Sequence, residues 1–253
     1  MDIGFDCTQC GKCCHDLKLP LSVAEAVSWL ERGHEVQILC EAIPWPSEPR
    51  SNDSQAAYKR SRSFEVLSGT MPSRVVVTLV ASFNGACPHL GKDKRCGIYE
   101  SRPRVCRIYP AEINPFVTMM PAAKACPPEA WGTDPSPLLR HGSIVDAGIK
   151  SLIAESRDAS ERDVAAKERL CEILHIRDAS LANEGFVIHS PGKDELKFAL
   201  STLGRIDMPE ESQGAGWRFI SNREATLSAL ADIGALATDP AQAAVAYRDF
   251  AAV

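Results

Sequence analysis

Four cysteines stand in one short run, Cys7-Thr8-Gln9-Cys10-Gly11-Lys12-Cys13-Cys14. Thiols two residues apart on a tight turn aim several sulfurs at a common centre, as zinc and iron–sulfur sites require. Adjacent Cys13 and Cys14 point their side chains in different directions, so one joins the Cys7/Cys10 centre while the other reaches elsewhere. A second group supplies Cys87, in Cys87-Pro88-His89-Leu90, then Cys96, Cys106 and Cys126. These eight thiols make two four-thiolate sites, or one cluster with thiols to spare. Three cysteines at two-residue gaps with a distant proline-flanked cysteine favour iron–sulfur ligation, with zinc the alternative.

Lys92, Lys94, Arg95, Arg102, Arg104 and Arg107 face only Asp93 and Glu100 in the stretch around the second group. That excess of positive charge either balances a negatively charged metal–thiolate centre or forms a site for an anion or a substrate carboxylate beside it. The candidate cofactor-binding residues are Arg102, Arg104, Arg107 and Tyr109. Tyr99 and Tyr109 are expected to pack over the metal centre, and a phenol close to a lysine amine could act as a general base. His15 and His89 adjoin cysteines and could replace a thiolate, but they are expected to hydrogen-bond nearby or face solvent. Cys40 and Cys171, on apolar segments, read as buried hydrophobes. Gly85 to Asp93 lacks the spacing and the Ser or Thr of a phosphate-binding loop, and Gln213-Gly214-Ala215-Gly216 follows no strand. No nucleophile elbow and no His-Glu-x-x-His helix is found.

The pattern Phe5-x-Cys7-x-x-Cys10-x-x-Cys13-Cys14, Cys87-Pro88-x-Leu90 and Cys96-x-Ile98-Tyr99-Glu100-x-Arg102-Pro103-x-x-Cys106-Arg107-x-Tyr109-Pro110 resembles the YkgJ-like cysteine-cluster proteins. These are a zinc- or iron-chelating family related to flagellin lysine N-methylase. The resemblance runs from about residue 5 to Cys126, with 72 residues between Cys14 and Cys87. It implies a metal centre on Cys7, Cys10, Cys13, Cys14, Cys87, Cys96, Cys106 and Cys126. Through the methylase relatives it also implies methyl transfer to protein lysines, with S-adenosylmethionine as donor. The competing expectation is a non-catalytic adaptor in which the metal stands in for a hydrophobic core and the acidic half recognises a protein partner.

The elements that must hold these cysteines read as short and irregular in the first half. Lys18 to Leu21 reads as extended, Ser22 as the cap of a helix stopped by Gly33, and Val36 to Cys40 as a strand. Residues 44 to 63, with three prolines, read as a surface loop and the natural place for a lid. Arg74 to Phe83 is the strongest strand pattern and leads to Cys87. Gly132, Pro135 and Pro137 read as a linker. Beyond it, helical spacing appears at Ile144, Val145, Ile149, Leu152 and Ile153, and again from Val164 to Leu174. A short strand is expected at Phe186 to His189, and helices at 194–202, 221–232 and 240–251.

The expected fold is therefore α+β: a small irregular cysteine-rich metal-binding domain over 1–130, then a mainly helical region over 131–253. The chain of 253 residues carries a formal charge of −5, divided as +1 before residue 131 and −6 after it. That balance argues against a nucleic-acid coat. The first residues lack a secretory signal and no apolar stretch approaches the roughly 20 residues of a membrane span, so a cytoplasmic, soluble protein is expected. In a reducing compartment clustered cysteines hold metal rather than disulfides.

Overall fold

The computed structural model describes residues 2–132, 136–203 and 216–250. In chain order the strands are β1 (Ile3–Phe5), β2 (Lys18–Leu21), β3 (Val36–Pro44), β4 (Phe64–Ser68), β5 (Met71–Ser82), β6 (Trp131–Gly132) and β7 (Pro137–Arg140). They continue with β8 (Ser143–Ile144), β9 (Asp178–Leu181), β10 (Gly185–His189), β11 (Arg218–Ile220), β12 (Ala237–Thr238) and β13 (Ala246–Asp249). The helices are α1 (Val23–Glu31), α2 (Ser54–Arg60), α3 (Arg104–Ile108), α4 (Ala147–Arg162), α5 (Val164–Ile173), α6 (Lys193–Thr202) and α7 (Glu224–Asp232). The fold is thus mixed α and β, and no helix among the described residues is long and apolar enough to cross a membrane.

Two long antiparallel strands organise the main sheet. β5 owes its length to the β-branched run Val75-Val76-Val77-Thr78, and it pairs with β3 from Ser73↔Pro44 to Ala81↔Val36. The far edge of β3 is shared end to end, antiparallel to β10 at Ile38–Cys40 and parallel to β9 at Glu41–Ala42. The far edge of β5 is shared too, β4 taking Met71–Val75 and β2 taking Leu79–Ser82. β11 and β12 extend the sheet beyond β9, and β13 beyond β10. Strands from 1–130 and from 131–253 therefore pair directly in one sheet.

The core forms where α1, α5 and α6 cover one face. Ala26, Trp29 and Leu30 of α1 meet Leu170 and Cys171 of α5, Leu196, Ala199 and Leu200 of α6, and Val75, Val77 and Leu79 of β5. Ser22 starts α1 with a full capping box to Glu25, and Gly33, at φ 88°, follows its end. A second sheet, in the order β6-β1-β7-β8, packs Ile3, Leu138 and Leu139 against Met119 and closes over the chain start.

Several expectations need correction. The segment 44–63 is not all loop: Asp53 caps α2 by accepting from the Ala56 amide. The Val36–Cys40 strand runs on to Pro44. Gly132 and Pro137 are paired residues, both opposite Gly4 of β1, while Pro135 lies outside the described residues. Ile144 belongs to β8, and Asp146 starts α4 after it. Residues 131–253 are not helices alone: α4 to α7 hold more of the described residues than the strands, yet β9 to β13 join the main sheet. The alanine-rich end, expected as a helix over 240–251, instead places Ala246–Asp249 against β10, a case of strand pairing overriding helix propensity. Residue 251 and the Gln213–Ala215 segment lie outside the described residues.

Candidate metal centre

β1 delivers the chain to Cys7, and its Phe5 ring packs on Trp131 at 4.9 Å. The first knuckle then turns sharply, with Gln9 at φ 53° and Gly11 at φ 72°. Glycine suits position 11, where φ is positive and a Cβ would stand 3.2 Å from both Leu90 Cδ1 and the Lys94 carbonyl oxygen, tight enough to push them aside. The Cys14 amide donates back to the Gly11 carbonyl at 3.0 Å.

The loop after β5 is stapled to this knuckle. The Cys87 amide donates to the Cys14 carbonyl at 2.7 Å, the Asp16 amide to the Gly85 carbonyl at 2.8 Å, and the Gly85 amide to the Asp16 carboxylate at 2.6 Å. A tight turn over Gly91–Arg95, bridged between Leu90 and Cys96, carries Cys96. α3 carries Cys106 and is anchored by Ile108, 1% exposed, against Ile153 of α4. Cys126 is held by Tyr109, whose hydroxyl accepts from the Ala125 amide at 2.8 Å. Lys124 ties the same segment down through its ion pair with Glu112 and its position 5.5 Å over the Tyr109 ring.

Four separate segments thus bring Cys7, Cys10, Cys13, Cys14, Cys96, Cys106 and Cys126 onto one cavity of about 180 Å³. Cys87 is within electrostatic reach of Cys14, Cys96 and Cys106. All eight thiols are free, Cys7 exposed and the others partly buried. Their neighbourhoods overlap but differ. Cys14 feels Cys87, Cys96 and Cys106, whereas Cys126 feels Cys7, Cys10 and Cys13. Cys13 and Cys14, with sulfurs 4.0 Å apart, join the two groups, and Cys106 feels Cys13 as well.

This crowding opposes ionisation. Burial, reinforced by the Cys87 charge, pushes Cys106 up to about 12. Burial raises Cys87 and Cys126 and takes Tyr109 up to about 12. Between the adjacent pair the shared hydrogen bond raises Cys13 and lowers Cys14, so Cys14 is the more readily ionised of the two. A cation bound among such thiols would relieve their mutual repulsion and deprotonate them outright. The donor set, all sulfur, suits the softer metals. Among the described residues no three His, Cys, Asp or Glu side chains are already closed around a common point, so ligation requires the thiols to swing inward.

The expected cofactor-binding residues divide. Arg102, Arg107 and Tyr109 line the cysteine cavity, joined by Lys94 and Tyr99. Arg102 lies 3.6 Å over the Tyr99 ring and donates to the Tyr99 carbonyl at 2.9 Å. Arg104 turns away to the opposite side of α3, where its amide and Nη2 donate to Glu25 at 2.7 and 3.3 Å. The Nδ1 of His15 is 3.1 Å from the Gly11 carbonyl. The His89 ring packs on Trp29 and His34 at 5.0 and 4.6 Å. Cys40 and Cys171 are fully buried in the main core, away from the cluster's cavity.

Sequence reasoning missed the Ala125–Tyr109 hydrogen bond and Ile149 as part of the cavity wall, and it named Lys94 only within the basic stretch around the second group. The Cys10-Gly11 step was the available signal for the turn, since glycine after a ligand cysteine allows the positive φ of a knuckle. Nothing local announced Ile149, which arrives from α4.

Residues 6–127 match the CxxCxxCC family, described as "Putative zinc- or iron-chelating domain". The match spans just under half of the chain. No curated protein and no solved structure matches the chain.

Proposed function

We propose that the chain is a metal-chelating protein holding two adjacent thiolate centres, one on Cys7, Cys10, Cys13 and Cys126 and the other on Cys14, Cys87, Cys96 and Cys106. The observation that carries this reading is the convergence of eight cysteines from four segments, in two overlapping neighbourhoods joined at Cys13 and Cys14. Two four-thiolate sets fit zinc and iron–sulfur chemistry alike, and the two-residue gaps of the first knuckle favour iron–sulfur. Bound iron–sulfur would supply electron transfer or an open iron position, and bound zinc a structural clamp.

The protein's own groups around the centres have simpler tasks. Arg102, Arg107 and Lys94 line the cavity and offset the negative charge of metal-bound thiolates. Tyr109 offers a hydroxyl to Cys126 and fixes its segment. Ile108 and Ile153 fix α3, so that Cys106 stands on a packed helix rather than a loop. Free thiols in this number belong in a reducing compartment. Methyl transfer and S-adenosylmethionine find no support in the comparisons and are not part of this reading.

The test is metal stoichiometry on protein purified without oxygen, for the unaltered chain and for cysteine-to-serine variants of each group. Two independent losses uphold two centres. Complete loss from any single variant replaces them with one shared centre.

A further inference from the structure

We infer that the cavity on the outer edge of β5, between β2 and β4, binds a phosphate group, either free or carried on a small organic molecule. It begins as a notch in the sheet. β4 covers β5 through Val75 and β2 resumes at Leu79, which leaves Val76, Val77 and Thr78 without a strand partner on that edge. The notch opens into a cavity of about 220 Å³. At ~30 Å³ per water this is room for about seven waters, enough for a phosphate and a few attached carbons.

Four cations line it: Arg62, Arg104, Arg157 and Lys167. Among the described lining residues Glu25 is the one carboxylate, and it is already occupied by Ser22 and Arg104. Lys167 is only 7% exposed, and among the described residues its ammonium makes no hydrogen bond or ion pair. The nearby Asp163 carboxylate accepts from the Val23 amide at 2.7 Å. A largely buried ammonium that makes no hydrogen bond carries a desolvation cost even with the Asp163 carboxylate near it. Burial pushes Lys167 down, the nearby Asp163 carboxylate partly offsets this, and Arg62 adds a smaller push down. Arg104 contributes a buried orphan donor, since its Nε finds no acceptor.

The cluster therefore has donors and positive charge to spare. A tetrahedral dianion with several acceptor oxygens matches both, and guanidinium forks suit phosphate. Tyr58, Ser160 and Asn114 add neutral polar groups to the wall, while Leu21, Val76 and Ile113 offer apolar surface to a carbon skeleton. α3 separates this cavity from the cysteines, presenting Arg104 and Val105 here and Cys106 and Arg107 there. The inference stands independently of the metal reading.

The test titrates the full-length, metal-loaded protein calorimetrically with inorganic phosphate and, in parallel, with glycerol 3-phosphate, at ionic strength held constant with chloride. Saturable binding at one site per chain is expected. Losing one charge-assisted contact should weaken it about tenfold or more in Lys167→Met and in Arg157→Gln, with metal content unchanged in both. Lys167→Met should also melt at a higher temperature than the unaltered protein when phosphate is absent, because it removes a largely buried charge whose desolvation outweighs its attraction to Asp163. Tighter binding of glycerol 3-phosphate upholds the site as one for phosphate esters, and equal binding upholds it as one for the free anion. No saturable binding of either probe, or unchanged phosphate affinity in both variants, overturns the inference.

Discussion

Replacing Cys10 with serine removes one sulfur from the group of Cys7, Cys10, Cys13 and Cys126 and none from that of Cys14, Cys87, Cys96 and Cys106. Structural zinc in small thiolate sites contributes roughly 10–16 kcal/mol, and a centre reduced to three sulfurs gives up enough of that to be stripped by a competing chelator. Bound metal should therefore fall by half. The same loss is expected from Cys7→Ser or Cys126→Ser, and the Cys7→Ser, Cys10→Ser double variant should lose no more than either single one. By contrast, combining Cys10→Ser with Cys96→Ser should remove all of the metal. This is the logic of a double-mutant cycle, in which sites sharing one centre are not additive and sites in separate centres are. The assay is metal per chain after gel filtration in a mild chelator, with folding checked by circular dichroism. If the Cys7/Cys10 pair and the Cys10/Cys96 pair lose the same amount, the division into two centres is refuted.

Burial raises the Glu41 carboxyl from 4.5 to about 7, so its stabilising contribution is complete below pH 4.5 and gone above about pH 7. The displacement corresponds to at most about 3 kcal/mol, so Glu41→Gln should be the more stable protein at pH 8, with the gap nearly closed at pH 5 in urea melts. An equal gap at both pH values would rule this out. Trp29 is 2% exposed and backs the His89 turn beside Cys87, so Trp29→Ala should cost about 3–5 kcal/mol and loosen metal at Cys87 preferentially. Unchanged thermal stability would contradict that packing. Removing metal with a strong chelator should expose eight thiols to a thiol reagent and leave Cys40 and Cys171, both 0% exposed, unreactive until the chain unfolds. Ser22→Ala should cost about 1 kcal/mol through loss of the α1 cap, read as a lower urea midpoint.

The candidate site was legible because cysteine is chemically specific and its spacing is local. The Cys7–Cys14 run announced a knuckle, but Cys13 and Cys14, expected to point apart, keep their sulfurs 4.0 Å from each other on one cavity. α1 was legible from Ser22 and Gly33, and β5 from its valines, since these signals lie within a few residues. Of the strands after residue 131, β10 was legible as the expected Phe186–His189 strand, but the others were not. β9 and β10 are short, and their partner β3 lies more than 130 residues earlier in sequence, so nothing local told which edge they would join. The alanine-rich end was misread for the same reason, because the pairing of Ala246–Asp249 with β10 outweighs an intrinsic preference of tenths of a kcal/mol per residue. Arg104 was misplaced because helical rotation decides its direction. Two residues before Cys106 on α3, it faces the opposite cavity.

The central claim is that these eight cysteines hold metal, and elemental analysis with a visible absorption spectrum on protein purified without oxygen tests it most directly. The account predicts stoichiometric metal: iron with acid-labile sulfide and a broad brown absorption for clusters, or about two zinc ions per chain in a colourless solution. A folded, fully reduced protein that retains neither metal when both were supplied would contradict it.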